Sequence, residues 1–143
     1  MLALVLTLDH RRLEGLIEDF VLAPDLSTFK EIKRAFISHV YWEEEFLFKY
    51  SKQLAVVNGL KIEHRSLWIL LDKVEEYLIG NYTERAKEEM RKFFRVLLEH
   101  DGVEEGSVYQ ELEDLSEEEQ AKLILEEIRL VNPPEGWRCS ALA

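Results

Sequence analysis

The chain has 143 residues, of which 47% are apolar and 33% charged, with only 6 Gly and 3 Pro. That is enough for one domain with a full hydrophobic core, and too little turn punctuation for an all-β fold. A net charge of -11 excludes a phosphate-backbone partner, which requires clustered Lys and Arg, so no nucleic acid is expected.

The first predicted helix runs from about Leu2 to Leu22 and stops at Ala23-Pro24, because a proline disfavours helix in the residue before it. Its inward seam reads Ala3, Leu6, His10, Leu13, Ile17, Phe20. The opening MLALVLTLDH has neither a basic leader nor a small-residue cleavage site and runs straight into this amphipathic pattern. It reads as a helix, not a signal peptide. The second helix begins near Ser27 or Thr28, where Thr28 and Glu31 have capping-box spacing, and reaches about Leu54. Its seam is Phe29, Ile32, Phe36, His39, Glu43, Phe46, Tyr50.

A third helix is predicted from Asn58-Gly59 to a cap at Gly80-Asn81, with seam Leu60, His64, Leu67, Leu71, Val74, Leu78. The fourth starts around Thr83 and runs to about Leu115, with seam Ala86, Met90, Phe93, Leu97, His100, Glu104. Gly102 and Gly106 each lower its helix propensity by up to about 1 kcal/mol, which invites a local distortion. Ser116 and Glu119 announce a shorter helix that ends before Pro133-Pro134.

These elements predict an all-α fold: an up-down-up-down antiparallel four-helix bundle with a short fifth C-terminal helix. The bundle takes residues 1–131, with the fifth helix over 116–131 and an irregular tail over 132–143 that docks by Trp137. No apolar run approaches the roughly 20 residues of a membrane span, so no membrane is expected. With the single cysteine Cys139 no internal disulfide can form, and the expected location is cytoplasmic.

Each of the four histidines falls on the seam of a different main helix. A seam takes roughly two positions in seven, so chance would place all four there in under about one case in a hundred. In HVYWE and HDGVE a glutamate follows the histidine by four residues, so Glu43 and Glu104 share its inward face. Buried facing carboxylates cost several kcal/mol, and no Lys or Arg occupies these seams to offset them. Divalent or trivalent metal ions would. HVYWEEEFLF and HDGVEEGSVY also echo each other: His, then Glu-Glu, then an aliphatic-aromatic pair, 61 residues apart. Two copies of one metal-binding helix suit two ions bridged by two carboxylates.

At these residues (LDHRRLEGL, HVYWE, IEHRSLW and HDGVE) the chain resembles the hemerythrin-like family, the HHE cation-binding domain, over roughly residues 2 to 115. The resemblance implies two non-haem irons bridged by carboxylates and an oxygen atom, with an open position for O₂ or a related small ligand. It implies His10 and His39 on one iron, His64 and His100 on the other, with Glu43 and Glu104 as bridges. Glu105 is the alternative to Glu104, because some members carry an Asp five residues after the last His. The oxygen-carrying members have His-x-x-x-His on the third helix, whereas here Trp68 follows His64. Glu14, Glu44 and Glu105 are candidates to replace that imidazole, each with a solvated acidic face as its plainer reading. Tyr41 and Tyr109 read first as core or rim, with proton or electron transfer beside iron as the alternative.

The leading expectation is a di-iron protein that binds or reacts with O₂, NO or peroxide in sensing, iron handling or redox protection, more a metal- and oxygen-binding protein than an enzyme. Zinc or manganese would also suit imidazole and carboxylate donors. Two rivals stand beside it: a di-iron oxidase or ferroxidase, whose usual Glu-x-x-His spacing is missing here, and a metal-free helical interaction module.

Overall fold

The alternating three- and four-residue apolar spacing produces four long helices in a computed structural model that describes residues 1–128 and 132–142. They are α1 (Leu2–Leu22), α2 (Leu26–Trp42), α3 (Leu54–Ile79) and α4 (Thr83–Gly106), followed by α5 (Val108–Leu112) and α6 (Glu117–Ile128). No strand occurs among the described residues. The long helices are joined by short connections, which sets neighbours antiparallel. Helix α3 packs most extensively on α4, while α1 contacts both α2 and α4. The fold is the expected helical bundle with a short C-terminal helix.

Several boundaries differ from expectation, each for a local reason. Asp25, not Ser27 or Thr28, caps α2: its carboxylate accepts from the Thr28 backbone N–H at 2.8 Å and from the Thr28 hydroxyl at 2.9 Å. Asn58-Gly59 does not start α3. The helix begins at Leu54, and burial of Val57 and Leu60 outweighs the weak propensity of that pair. At its far end Asn81, with φ 63, makes the left-handed turn, and the Tyr82 N–H reaches back to the Tyr77 carbonyl at 2.8 Å. Ser116 does cap α6, its hydroxyl accepting from the Glu119 N–H. The expected end of that helix at 129–131 lies outside the described residues.

The two metal-motif helices deform just beyond their glutamates. After Glu43, α2 widens into a π turn, Glu43–Leu47, in which the Phe48 N–H bonds the Glu43 carbonyl, and then tightens into a 3₁₀ turn, Phe48–Tyr50. The extra residue rotates the seam, so Leu47 and Phe48 are buried where Phe46 and Tyr50 were expected. Helix α4 does not run on to Leu115 but breaks at Ser107, and α5 restarts with Val108, Tyr109 and Leu112 inward.

The core is divided. One apolar cluster holds Leu13, Ile17, Phe20, Phe29, Phe36 and Phe93 among others, and a second holds Leu2, Leu6, Trp42, Leu47, Leu60 and Leu112 among others. Along α1 the polar side chain of His10 sits between Leu6 of the second cluster and Leu13 of the first. The polar centre therefore lies between two dry regions that fix the helices on either side of it. The tail closes one flank: Trp137 lies 6.0 Å from Trp68 and 5.0 Å from Tyr41, ring to ring, and Cys139 is buried in the first cluster.

Candidate metal centre

The helical spacing brings all six predicted residues to one place. His10, His39, Glu43 and Glu104 offer donor atoms within 4.8 Å of one another, and so do Glu43, His64, His100 and Glu104. All six are buried, the two glutamates completely. They form two quartets sharing Glu43 and Glu104. The distances run His10 Nε2–His39 Nε2 3.1 Å, His39 Nε2–Glu43 Oε2 3.3 Å, His64 Nε2–Glu43 Oε1 3.2 Å and His100 Nε2–Glu104 Oε1 3.3 Å. Donors held roughly 2.0–2.2 Å from one ion stand about 3 Å apart when adjacent in its shell, so the spacing is that of a coordination sphere.

Behind each imidazole stands a carboxylate. The Nδ1 atoms of His10, His39, His64 and His100 meet Glu105 at 2.8 Å, Asp9 at 2.6 Å, Glu44 at 2.7 Å and Glu63 at 2.9 Å. An Nδ1–H given to such a partner fixes the ring and turns the Nε2 lone pair inward, which is how metal-ligating histidines are held. The arrangement has approximate two-fold symmetry. The acid just before His10 (Asp9) serves His39, and the acid just before His64 (Glu63) serves His100. Likewise Glu44, five residues after His39, serves His64, and Glu105, five after His100, serves His10.

The centre holds more acceptors than protons. Glu43 Oε1, His64 Nε2, Asp101 Oδ2 and both Glu104 oxygens are buried without a hydrogen-bond partner, an arrangement that costs free energy unless a cation satisfies it. With protons alone to supply positive charge, the acid-base properties spread widely. Burial raises the Asp101 carboxyl to about 10, and burial with the facing Glu43 pushes Glu104 well above the usual range. Burial would raise Glu43 too, but His39 and neighbouring hydrogen bonds hold it well below, so the pair shares one charge. Burial drops His10 to about 2. At His39 burial is outweighed by Glu43 and Asp9, and at His64 by Glu43 and Glu44, so both imidazoles are raised. The residues fit a metal site.

The family model of the hemerythrin HHE cation-binding domain matches residues 2–112. The chain belongs to that family. No curated protein and no solved structure gave a match.

Around the centre of this hemerythrin-like domain, the sequence's secondary candidates take other places. Glu44 and Glu105 brace imidazoles from outside, and Glu14 is clamped by Arg11 at 2.5 and 2.6 Å. None of the three gives an atom to a quartet. Trp68 stands edge-on to Phe36 and against Trp137. Tyr41 lies under Trp137 at the flank. Two inward groups were not among the predicted ligands. Asp101, 2% exposed, brings Oδ1 within 3.4 Å of His10 Nε2. Tyr109, fully buried, places its hydroxyl among His10, His39 and Glu43. The echo between the two motifs could have marked Tyr109, and the paired acids before His10 and His64 could have marked the outer carboxylates.

Proposed function

We propose that the domain is a non-haem di-iron protein that binds or reacts with O₂, or with NO or peroxide, in sensing, iron handling or redox protection. The observation that carries this reading is the sharing of Glu43 and Glu104 by two otherwise separate histidine pairs. His10 and His39 would hold one ion, His64 and His100 the other, with Glu43 and Glu104 bridging. Two irons so placed would supply electrons and an open position for a small oxidising ligand.

The chain's own residues do the rest. The four outer carboxylates orient the imidazoles, and the two apolar clusters keep bulk water from the centre. Leu13, Phe36, Val40 and Leu97 line the same small internal cavity as the quartets, which offers an apolar surface to a diatomic molecule. Asp101 is positioned to hold a proton beside it. Trp68 occupies the position four after His64 where oxygen carriers have a further imidazole, and this favours oxidation over reversible carriage.

The test is to load metal-free protein with ferrous iron without air, count the iron, and mix with O₂ in a stopped-flow spectrometer. Two irons per chain and a fast, irreversible oxidation that Trp68→His slows are expected. Reversible spectra that vanish under vacuum would make the chain an oxygen carrier, and retention of no iron would remove the proposal.

A further inference from the structure

Tyr109 is set apart by what its counterpart lacks. In the internal echo, Leu47-Phe48 and Val108-Tyr109 stand eight and nine residues after His39 and His100. Both aromatics do the same packing: Phe48 stacks on His64 with ring centres 5.8 Å apart, and Tyr109 stacks on His10 at 5.2 Å. A phenyl ring therefore suffices for the contact. Tyr109 adds a single oxygen, buried where an unsatisfied hydroxyl is costly.

That oxygen is not at the edge of the centre. It lies 2.8 Å from His10 Nε2, 3.0 Å from His39 Nε2 and 2.7 Å from Glu43 Oε2. With its one proton donated to Glu43, the hydroxyl oxygen meets the two imidazole nitrogens with its lone pairs, the side it would also turn to a cation. Three contacts near 3 Å to three donors of one quartet are what a further member of that shell would make. Asp101, by contrast, approaches only His10 among these donors, at 3.4 Å.

We infer that the Tyr109 phenolate oxygen is an additional protein ligand to the ion held by His10, His39, Glu43 and Glu104, which makes the two metal positions chemically unlike. The inference rests on the di-iron reading above. On loading, the phenol O–H bond breaks, its proton leaves to the solvent, and the oxygen electron pair goes to the cation with no change in oxidation state. A hard anionic oxygen suits the ferric ion.

The experiment uses the full chain, loaded with ferrous iron without air and oxidised by ferricyanide. The expected product has a visible phenolate-to-iron charge-transfer band with tyrosine ring modes enhanced in resonance Raman. Those modes should shift when ring-deuterated tyrosine is incorporated, a reading that needs no variant. Tyr109→Phe should abolish the band while the iron content holds, and Tyr41→Phe should leave it unchanged. Iron-loaded wild type without tyrosine modes, or a band that survives Tyr109→Phe, overturns the Tyr109 assignment and leaves the di-iron reading standing. A wild-type chain that takes up no iron overturns both.

Discussion

The two halves of the centre are built alike and finished differently. Each is a pair of imidazoles with ring centres 4.8 Å apart, tilted by 50° in one half and 51° in the other, braced by outer carboxylates and closed by the same two glutamates. Around His64 and His100 the finish is apolar, with Phe48 stacked on His64. Around His10 and His39 it is polar, with Asp101 and the Tyr109 hydroxyl turned inward. The same contrast appears four residues after His10 and His64, where one half has Glu14 and the other Trp68. The symmetry provides two groups that could each hold an ion. The asymmetry would give an ion in one half a harder, more anionic surrounding than an ion in the other, which would be useful if only one were to meet an incoming ligand.

The comparison breaks most severely at the shared residues. Glu43→Ala or Glu104→Ala removes a donor from both halves at once and should lower bound metal from two ions per chain to near none, as metal analysis after gel filtration would record. Retention of both ions by Glu43→Ala would disprove its bridging role. Next in size, His64→Ala should release one ion and spare the other, and His10→Ala should do the converse. Mössbauer spectra of the two half-loaded proteins should then differ, because the polar and apolar halves give different iron environments. Identical spectra would mean that the asymmetry does not reach the metals. Milder still, Asp9→Asn and Glu63→Gln leave every direct donor in place but loosen one ring each. A weakening of about 10- to 100-fold at the corresponding ion is expected from competition titrations with a chelator.

The smallest effect is on the metal-free protein and comes from the polar half. With the folded-state Asp101 raised to about 10 from an ordinary 3.8, the folded chain keeps a proton that the unfolded chain loses. Stability from this group is fully present below pH 4 and falls as pH rises toward 10. Glu104, also raised, acts in the same direction. His10, lowered from 6.5 to about 2, costs stability only as pH falls below 6.5, so it does not interfere above neutrality. The melting temperature of metal-free protein should therefore decline between pH 7 and pH 9.5, and Asp101→Asn should flatten that decline. An unchanged slope in the variant would show that Asp101 is not held protonated.

The six residues of the quartets were legible in the sequence because each lies on a continuous 3.6-residue period, the strongest signal a helix offers. So was the inward placement of Glu104 rather than Glu105, since only a four-residue step returns to the face of His100. The period fails where the backbone departs from it. The π turn after Glu43 moved the inward positions from Phe46 and Tyr50 to Leu47 and Phe48, and the break at Ser107 re-aimed Tyr109. Asp101 was hidden for another reason: it is the neighbour of His100 in sequence, about a hundred degrees round the helix, and only the third dimension reveals that α1 covers that side. The outer carboxylates were marked in sequence only by their places beside the motifs, and which imidazole each one braces was not, because the pairing crosses between helices.

The most direct test of the whole account is the iron content of the wild-type chain. Protein stripped of metal, loaded with excess ferrous iron without air and desalted should retain two irons per chain, one for each quartet. Its melting temperature should also rise, since a ligand bound only by the folded state stabilises it by about 4 kcal/mol at a thousandfold excess over Kd. Less than one iron per chain, with melting indistinguishable from that of the metal-free protein, would contradict it.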